Sequence, residues 1–411
     1  MLVFCEECGE QYQVDSNAGI SHLQCHRCAE TLRISTSAGL GGQRRQTPLA
    51  VRAAMETAAP EQPFKILIVD DSKVIRKALC KLFDGNPAIK VIGEATNGAE
   101  ALHLVDKLNP DVVTLDINMP VMDGLTTVKY LMIKSPKPIL MFSTLTSEGA
   151  SETFDALRYG AIDFMLKPSH AADQSLEEQR ARIIEKVIMA ARVKIDAIRF
   201  LRSSSQKKQE NGKSTNCKYL FALGASEGCY GALLNIMPQL KSNLPAAFLV
   251  VLYADEPNIE TFASYLDKHS AVAVKRAKDG DLIEAGACYI ASAGEYLSIE
   301  QSEKKQLRIQ PAPHPGRKGG INRLMFSVAD SMKERAVGVI LTGSGEDGVE
   351  GLGEILRVGG TAIVQDPENC LCKETSYCAL KRHEIDLVLS AQTMAIKIND
   401  LLTPLYGEGE P

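Results

Sequence analysis

Three aspartates stand at the ends of two short apolar runs: Asp70 and Asp71 follow Ile66 to Val69, and Asp116 closes the run that begins at Val112. Such runs, rich in Val, Ile and Leu, have the length of buried parallel strands, and the second gives way to a loop punctuated by Pro and Gly, ending at Gly124. Parallel strands share one direction, so acids placed past them converge at one sheet edge, where open α/β sheets bind ligands. Three carboxylates together repel one another. A hard divalent cation such as Mg2+ relieves that repulsion and can hold a phosphoryl donor. Loop capping alone would explain any one of these acids, but not the set.

The surrounding pattern predicts strands at Ile66 to Val69, Val91 to Ala95, Val112 to Asp116, Ile139 to Ser143 and Phe164 to Leu166. Between them Val74, Ile75, Leu79, Leu82 and Phe83 recur at helical spacing, as do Ala101, Leu102, Val105 and Leu108. Five such units give a doubly wound, flavodoxin-like sheet. From about Phe64 to Ser169 the segment resembles a two-component receiver domain. Asp70, Asp71 and Asp116 fall on that family's acidic triad, Ser143 on its switch hydroxyl, Phe164 on its aromatic switch and Lys167-Pro168 on its Lys-Pro pair. The resemblance implies that Asp116 accepts phosphate from a histidine kinase. The chemistry agrees: a carboxylate nucleophile makes an acyl phosphate, Mg2+ and the Lys167 ammonium offset charge on the transferring group, and Ser143 offers a hydroxyl to the product.

Ahead of this domain, Cys5, Cys8, Cys25 and Cys28 form two C-x2-C pairs. Four thiolates complete a tetrahedral Zn2+ site, and so short a segment lacks the apolar residues to fold without one. The module resembles the zinc ribbon at the N-terminus of some bacterial regulators. His22 and His26 are expected at the surface. Thr36 to Pro63, small, polar and rich in Gly, Pro and Ala, is expected to be a flexible linker. A short helix around Leu49 to Ala58 would have little to pack against.

A helical pattern from Leu176 to about Arg202 leads into the polar hinge Ser203 to Asn216, and a second α/β domain follows. Its first strand, Tyr219 to Leu223, runs into Gly224-Ala225-Ser226-Glu227-Gly228. A serine on a tight strand-to-helix turn, beneath a positive helix end, suits a nucleophile and an oxyanion. Far downstream, Val337 to Leu341 leads into Thr342-Gly343-Ser344-Gly345-Glu346-Asp347-Gly348, a second acidic strand end. Each motif alone is a tight turn in an α/β sheet. Together with Ala287 to Ala291, and with the order of the domains, they resemble the effector domain of the CheB protein-glutamate methylesterase family. The resemblance places Ser226 on the nucleophile and Asp347 on the triad acid. It also exposes departures. Tyr253 falls on the catalytic histidine, and a phenol with a reference pKa of ~10 does not take a serine proton at neutral pH. Glu227 and Cys229 replace a Thr and a Gly, while the loops at Gly319 to Asn322 and Glu374 to Ser376 replace an Arg-Pro-Ser-Val-Asp run and a Gly-Met-Pro run.

The expected plan is a zinc ribbon at 1–35, linker at 36–63, receiver at 64–185, connector helix and hinge at 186–216, and a doubly wound methylesterase-like domain at 217–403. A net charge of −5 and the lack of a basic face argue against nucleic-acid binding. The longest apolar runs are too short to span a bilayer, which predicts no membrane insertion and a cytoplasmic protein. Eleven cysteines fit reduced thiols and a metal site better than a disulfide framework; Cys370, Cys372 and Cys378 are expected to be free, and His103, His170, His269 and His383 to be surface or structural residues. The leading expectation is a phosphorylation-controlled chemotaxis-type regulator, partnered by a histidine kinase and chemoreceptor tails, whose effector has lost hydrolysis. Two alternatives stand beside it: a working methylesterase or glutamine deamidase with a surrogate base such as His314, and a phosphate sink.

Overall fold

The computed structural model describes residues 62–143, 150–167, 176–195, 217–254, 256–300, 305–311 and 319–402, together with the backbone of three short strands near the N-terminus. Those strands, β1 (Leu2–Phe4), β2 (Gln11–Gln13) and β3 (Arg33–Ile34), pair antiparallel with β1 central. The expected zinc ligands Cys5, Cys8, Cys25 and Cys28 lie outside the described residues, as does the helix expected around Leu49 to Ala58.

The receiver alternates strand and helix: β4 (Phe64–Val69), α1 (Lys73–Phe83), β5 (Ile89–Ala95), α2 (Gly98–Leu108), β6 (Val112–Asp116), α3 (Gly124–Lys134), β7 (Ile139–Ser143), α4 (Ala150–Arg158), β8 (Asp163–Leu166) and α5 (Leu176–Ala191). Its strands are all parallel, in the order β5-β4-β6-β7-β8. Helices cover both faces, which is why Ile66 to Val69 is wholly apolar and Val112 to Leu115 is buried throughout, with Thr114 its one polar residue. Ser72, Asn97 and Asp123 cap α1, α2 and α3 by accepting a backbone N–H three residues on. β4 and β5 start earlier than their apolar patterns, because the Phe64↔Ile89 and Lys65↔Lys90 pairs extend the ladder through two exposed lysines that interrupt the apolar signal.

The second domain runs β9 (Tyr219–Ala225), α6 (Cys229–Ile236), β10 (Ala246–Leu252), α7 (Glu256–His269), β11 (Ala273–Arg276) and β12 (Ala287–Ser292). An antiparallel hairpin, β13 (Glu295–Glu300) and β14 (Gln306–Pro311), precedes α8 (Gly320–Met332), β15 (Ala336–Ile340), α9 (Val349–Arg357), β16 (Thr361–Gln365), α10 (Glu374–Arg382), β17 (Leu387–Leu389) and α11 (Ala391–Leu402). The seven parallel strands lie in the order β11-β12-β10-β9-β15-β16-β17. The chain leaves β9 toward β10 and returns on its other side at β15, so the ends of β9 and β15 form the topological switch point where sheets of this kind place a binding crevice.

Two expectations need correction. β9 continues through Gly224 and Ala225, held in register by Leu252 and Ile340, and β15 ends at Ile340 instead of Leu341. Gly319 to Asn322 and Glu374 to Ser376, expected as loops, lead into or form the first turns of α8 and α10. Neither helix has a capping side chain: Gly319, at φ 145°, and Lys373 occupy the cap positions, so the usual start signal is missing.

The two domains share buried apolar surface. Phe154 on α4, only 3 % exposed, sets its ring 5.5 Å from Tyr230, 5.1 Å from Phe262 and 5.3 Å from Tyr265 of the second domain. Phe164 on β8 stacks on Tyr230 at 5.8 Å, and the Tyr265 hydroxyl donates to Asp155 Oδ1 at 2.5 Å. A second contact joins the end of α5 to the loop before α10, where Lys194 meets Glu368 at 2.6 Å and Leu371 packs into the receiver core with Ile183 and Val187. Among the described residues no helix is long and apolar enough to cross a membrane.

Truncating Phe154 removes the ring at the centre of the aromatic contact. Phe154→Ala is expected to destabilise the protein by about 3 kcal/mol and to split its unfolding into two transitions in a calorimetric scan. A single transition at the wild-type temperature would mean that the contact does not couple the domains.

Candidate functional site

Two constellations lie at sheet edges. In the receiver, Asp70 and Asp116 are 1 % and 5 % exposed, and Asp71 stands beside them in solvent. One carboxylate oxygen from each lies within 4.8 Å of the others. The Lys167 ammonium sits 2.7 Å from Asp70 Oδ2 and 2.9 Å from Asp116 Oδ2. Burial pushes the Asp116 carboxyl above the ordinary aspartate range; Lys167 pulls the other way, and Asp70 adds to the rise. Burial alone would lower Lys167, but the two carboxylates outweigh it and raise its pKa, so the ammonium is retained. This all-oxygen set fits a hard divalent ion, and receiver domains commonly bind Mg2+.

The backbone is fitted to the acids. Gly124 is required because a Cβ there would stand 2.2 Å from the Asp116 carbonyl oxygen. Backbone N–H groups of Ser72 and Ile117 donate to Asp70 Oδ1 and Asp116 Oδ1, each at 2.8 Å. Arg76, which the sequence reading missed, donates to the carbonyls of Asp70 and Asp71 at 2.9 and 3.1 Å and pairs with Glu94, fixing the turn that carries both acids. Ser143 ends β7, but its side chain falls outside the described residues. Phe164 lies in the interdomain contact against Tyr230.

In the second domain, Ser226 follows β9 and enters a turn completed by Gly228 at φ 79°, after which α6 begins. Its backbone N–H donates to the Thr342 carbonyl at 3.0 Å, tying this turn to the one after β15. The Ser226 hydroxyl donates to Glu227 Oε2 at 2.5 Å, while the Ser344 backbone N–H approaches Ser226 Oγ at 2.8 Å and Glu227 Oε2 at 3.0 Å. The Ser344 hydroxyl donates to Glu227 Oε1 at 3.0 Å. Burial alone would raise the Glu227 carboxyl, yet the hydrogen bonds from Ser226, its own backbone and Ser344 hold it below the ordinary glutamate range.

Asp347 is 5 % exposed and accepts three hydrogen bonds: from the Tyr253 hydroxyl at 2.6 Å and from the backbone N–H groups of Ile321 and Asn322 at 3.1 and 3.0 Å. The last two belong to the first turn of α8, whose positive end suits a carboxylate. The Tyr253 oxygen in turn accepts from the Gly319 N–H at 3.1 Å. Burial first, then the adjacent Asp347, pushes the Tyr253 phenol well above its ordinary value. Its single proton is committed to Asp347. Among the described residues the hydroxyl of Ser226 is directed at Glu227, and Tyr253 at Asp347.

The fold thus gathers Ser226, Tyr253, Glu227 and Asp347 in one crevice with Ser344. Ser344 was invisible beforehand, because a serine in a Gly-rich turn carries no signal of where its amide points. His314 lies outside the described residues. His383 contacts the Val349 carbonyl at 2.9 Å and His269 that of Tyr265 at 2.9 Å, while His103 is exposed. Cys370, Cys372 and Cys378 are free thiols; burial pushes the first up to about 12 and the second to about 11.

Known proteins share both domains of this chain. The family described as CheB methylesterase matches residues 221–398, and the response regulator receiver domain family matches 66–177. A protein from Pyrococcus abyssi named protein-glutamate methylesterase/protein-glutamine glutaminase is 36% identical over 353 residues, covering 84% of this chain and 95% of the relative. The chain belongs to the CheB family. A second member, of the same name and from Symbiobacterium thermophilum, is 34% identical over 363 residues, 85% of this chain and 99% of its own. The solved Thermotoga maritima CheB methylesterase catalytic domain is 28% identical, with a TM-score of 0.43, covering 44% of this chain and 98% of that one.

The depressed pKa of Glu227 makes a stability contribution with a definite sign. It is present above the ordinary glutamate range and is lost as pH falls through the lower, folded value. Glu227→Gln is therefore expected to cost about 1–2 kcal/mol near neutral pH and nothing in strong acid, as measured by urea unfolding across pH. A cost that is independent of pH would show that the carboxylate charge is not what these donors hold.

Proposed function

We propose that this CheB-family chain is a phosphorylation-controlled chemotaxis regulator whose effector domain binds its target without hydrolysing it. The observation that carries the reading is the direction of two protons. Tyr253 donates its only proton to Asp347, and Ser226 donates its own to Glu227. A serine attacks an ester only if a base accepts its proton as the bond forms. A neutral phenol with a raised pKa is no such base, and a carboxylate held below the usual range is a poor one.

On the receiver side, Asp116 is the proposed acceptor of phosphate from a chemotaxis-type histidine kinase. Asp70, Asp71 and Asp116 would hold Mg2+, which supplies positive charge against the oxygens of the transferring group when bound. Lys167 already bridges Asp70 and Asp116, so an acyl phosphate on Asp116 would meet an ammonium in place. Ser143 and Phe164 are the proposed relay, with Phe164 stacked on Tyr230, a residue of the helix that follows Ser226. Cys5, Cys8, Cys25 and Cys28 are proposed to bind one Zn2+ as a ribbon. The target would be the cytoplasmic tail of a chemoreceptor, and the protein would work in the cytoplasm.

A second reading, an active methylesterase or glutaminase, is favoured by the names of its relatives and by the 2.5 Å Ser226–Glu227 contact, which would make Glu227 the surrogate base. One experiment separates the two: methanol release from methylated receptor by wild-type protein, with and without beryllofluoride and Mg2+. Loss of a histidine base alone has cost roughly a million-fold in turnover in a serine protease, so the expected result is no release above background in either state. Asp116→Asn is expected to abolish binding of beryllofluoride. Release that Ser226→Ala removes would establish the second reading.

A further inference from the structure

The donors that converge on Ser226 surround a carboxylate, and that carboxylate belongs to the chain. Glu227 accepts from the Ser226 hydroxyl at 2.5 Å, the Ser344 backbone N–H at 3.0 Å and the Ser344 hydroxyl at 3.0 Å, with its own backbone amide contributing as well. These donors come from two turns at the β9–β15 crevice, brought together by the Ser226 N–H bond to Thr342 and by the Thr342 hydroxyl bond to the Glu227 carbonyl at 2.7 Å. The approach is close: a Cβ on Gly343 would stand 2.6 Å from Ser226 Oγ, so the glycine there is what lets Ser344 reach inward. Glu227 precedes Gly228, the cap residue of α6, and so lies beside that helix's positive end.

A single oxygen of Glu227, Oε2, takes both the Ser226 hydroxyl and the Ser344 amide. A carboxylate from a partner, seated without a covalent bond beside Ser226, would compete for that same amide. We propose that the turns after β9 and β15 form an anion-binding pocket whose resident ligand is the side chain of Glu227, an internal stand-in for the carboxylate of a glutamyl side chain. The pocket is closed to acidic groups in trans while Glu227 is charged, and it opens to a carboxylate when that side chain is removed. This deepens the non-hydrolytic reading above and rests on it for its biological meaning. The geometry of the pocket stands apart from whether Tyr253 can act as a base.

The test uses full-length protein labelled with 15N-serine, the Ser344 amide resonance being identified by its loss in Ser344→Ala, and sodium acetate as the probe. In wild-type protein the Ser344 amide proton is expected downfield and unmoved by acetate. In Glu227→Ala it is expected to move upfield and to return, saturably, as acetate is added, with an apparent affinity about tenfold or more above that of the wild type, since charge-assisted bonds to the donors become available. Glu227→Gln keeps the shape and loses the charge; its Ser344 amide is expected upfield and indifferent to acetate. That variant decides the matter if Glu227→Ala does not fold, because a Gln variant with the wild-type Ser344 shift would overturn the proposal. An Ala variant that folds and ignores acetate would also overturn it, leaving the non-hydrolytic reading intact. Methanol release by the wild type would sink the non-hydrolytic reading while the acetate result stood.

Discussion

In a parallel sheet every strand delivers its C-terminal end to the same edge, and both constellations in this chain exist because of that constraint. β4 and β6 bring Asp70, Asp71 and Asp116 together although the last is far from the first two in sequence. β9 and β15, adjacent and parallel, do the same for Ser226 and Ser344, while β10 on the other side of β9 delivers Tyr253. What differs is the chemistry delivered. The receiver edge holds negative charge that a cation must answer, with Lys167 supplying part of the answer. The effector edge holds two carboxylates whose charges are already answered by local donors: Asp347 by Tyr253 and the start of α8, Glu227 by Ser226 and Ser344.

The contact between the domains is the path by which a change at Asp116 would have to reach that crevice. Phe154 and Phe164 meet Tyr230, Phe262 and Tyr265 across it, in a chain that is only 5% aromatic. Rings so concentrated make the contact resemble a domain core more than a transient interface, and such a contact resists large separation. β8 carries Phe164 and is followed at once by Lys167, so the group that bridges the two acids and the group that stacks on the effector share one short segment. Displacing Lys167 toward a new charge on Asp116 would pull on that segment directly.

Much of this was legible in the sequence where the signal is local. An apolar run followed by an acid reports a buried strand and its C-terminal end, and that pattern marked Asp70, Asp71 and Asp116; Ser226 and Asp347 stood out as residues of tight strand-end turns, their roles resting on the family resemblance. Features that depend on two distant segments were not legible. Phe154, Tyr230, Phe262 and Tyr265 each sit at helical spacing and read as the core of their own domain; nothing local says that they face one another. The starts of α8 and α10 were missed because Gly319 and Lys373 cap them without a side-chain hydrogen bond. Glu227 was recognised as a charge in the wrong place, but its capture by Ser344 requires the second turn to be folded beside the first.

Whether the effector hydrolyses anything depends on whether Ser226 is a nucleophile. Its hydroxyl donates to a carboxylate of lowered basicity, and the Tyr253 phenol donates to Asp347. Nucleophilicity can be read without any receptor substrate, by incubating the protein with a fluorophosphonate probe, with and without beryllofluoride and Mg2+, and locating adducts by mass spectrometry. The structure predicts no adduct on Ser226 in either state. An adduct on Ser226 that forms faster with beryllofluoride, and that disappears in Ser226→Ala, would contradict the account and mark the crevice as a working esterase site.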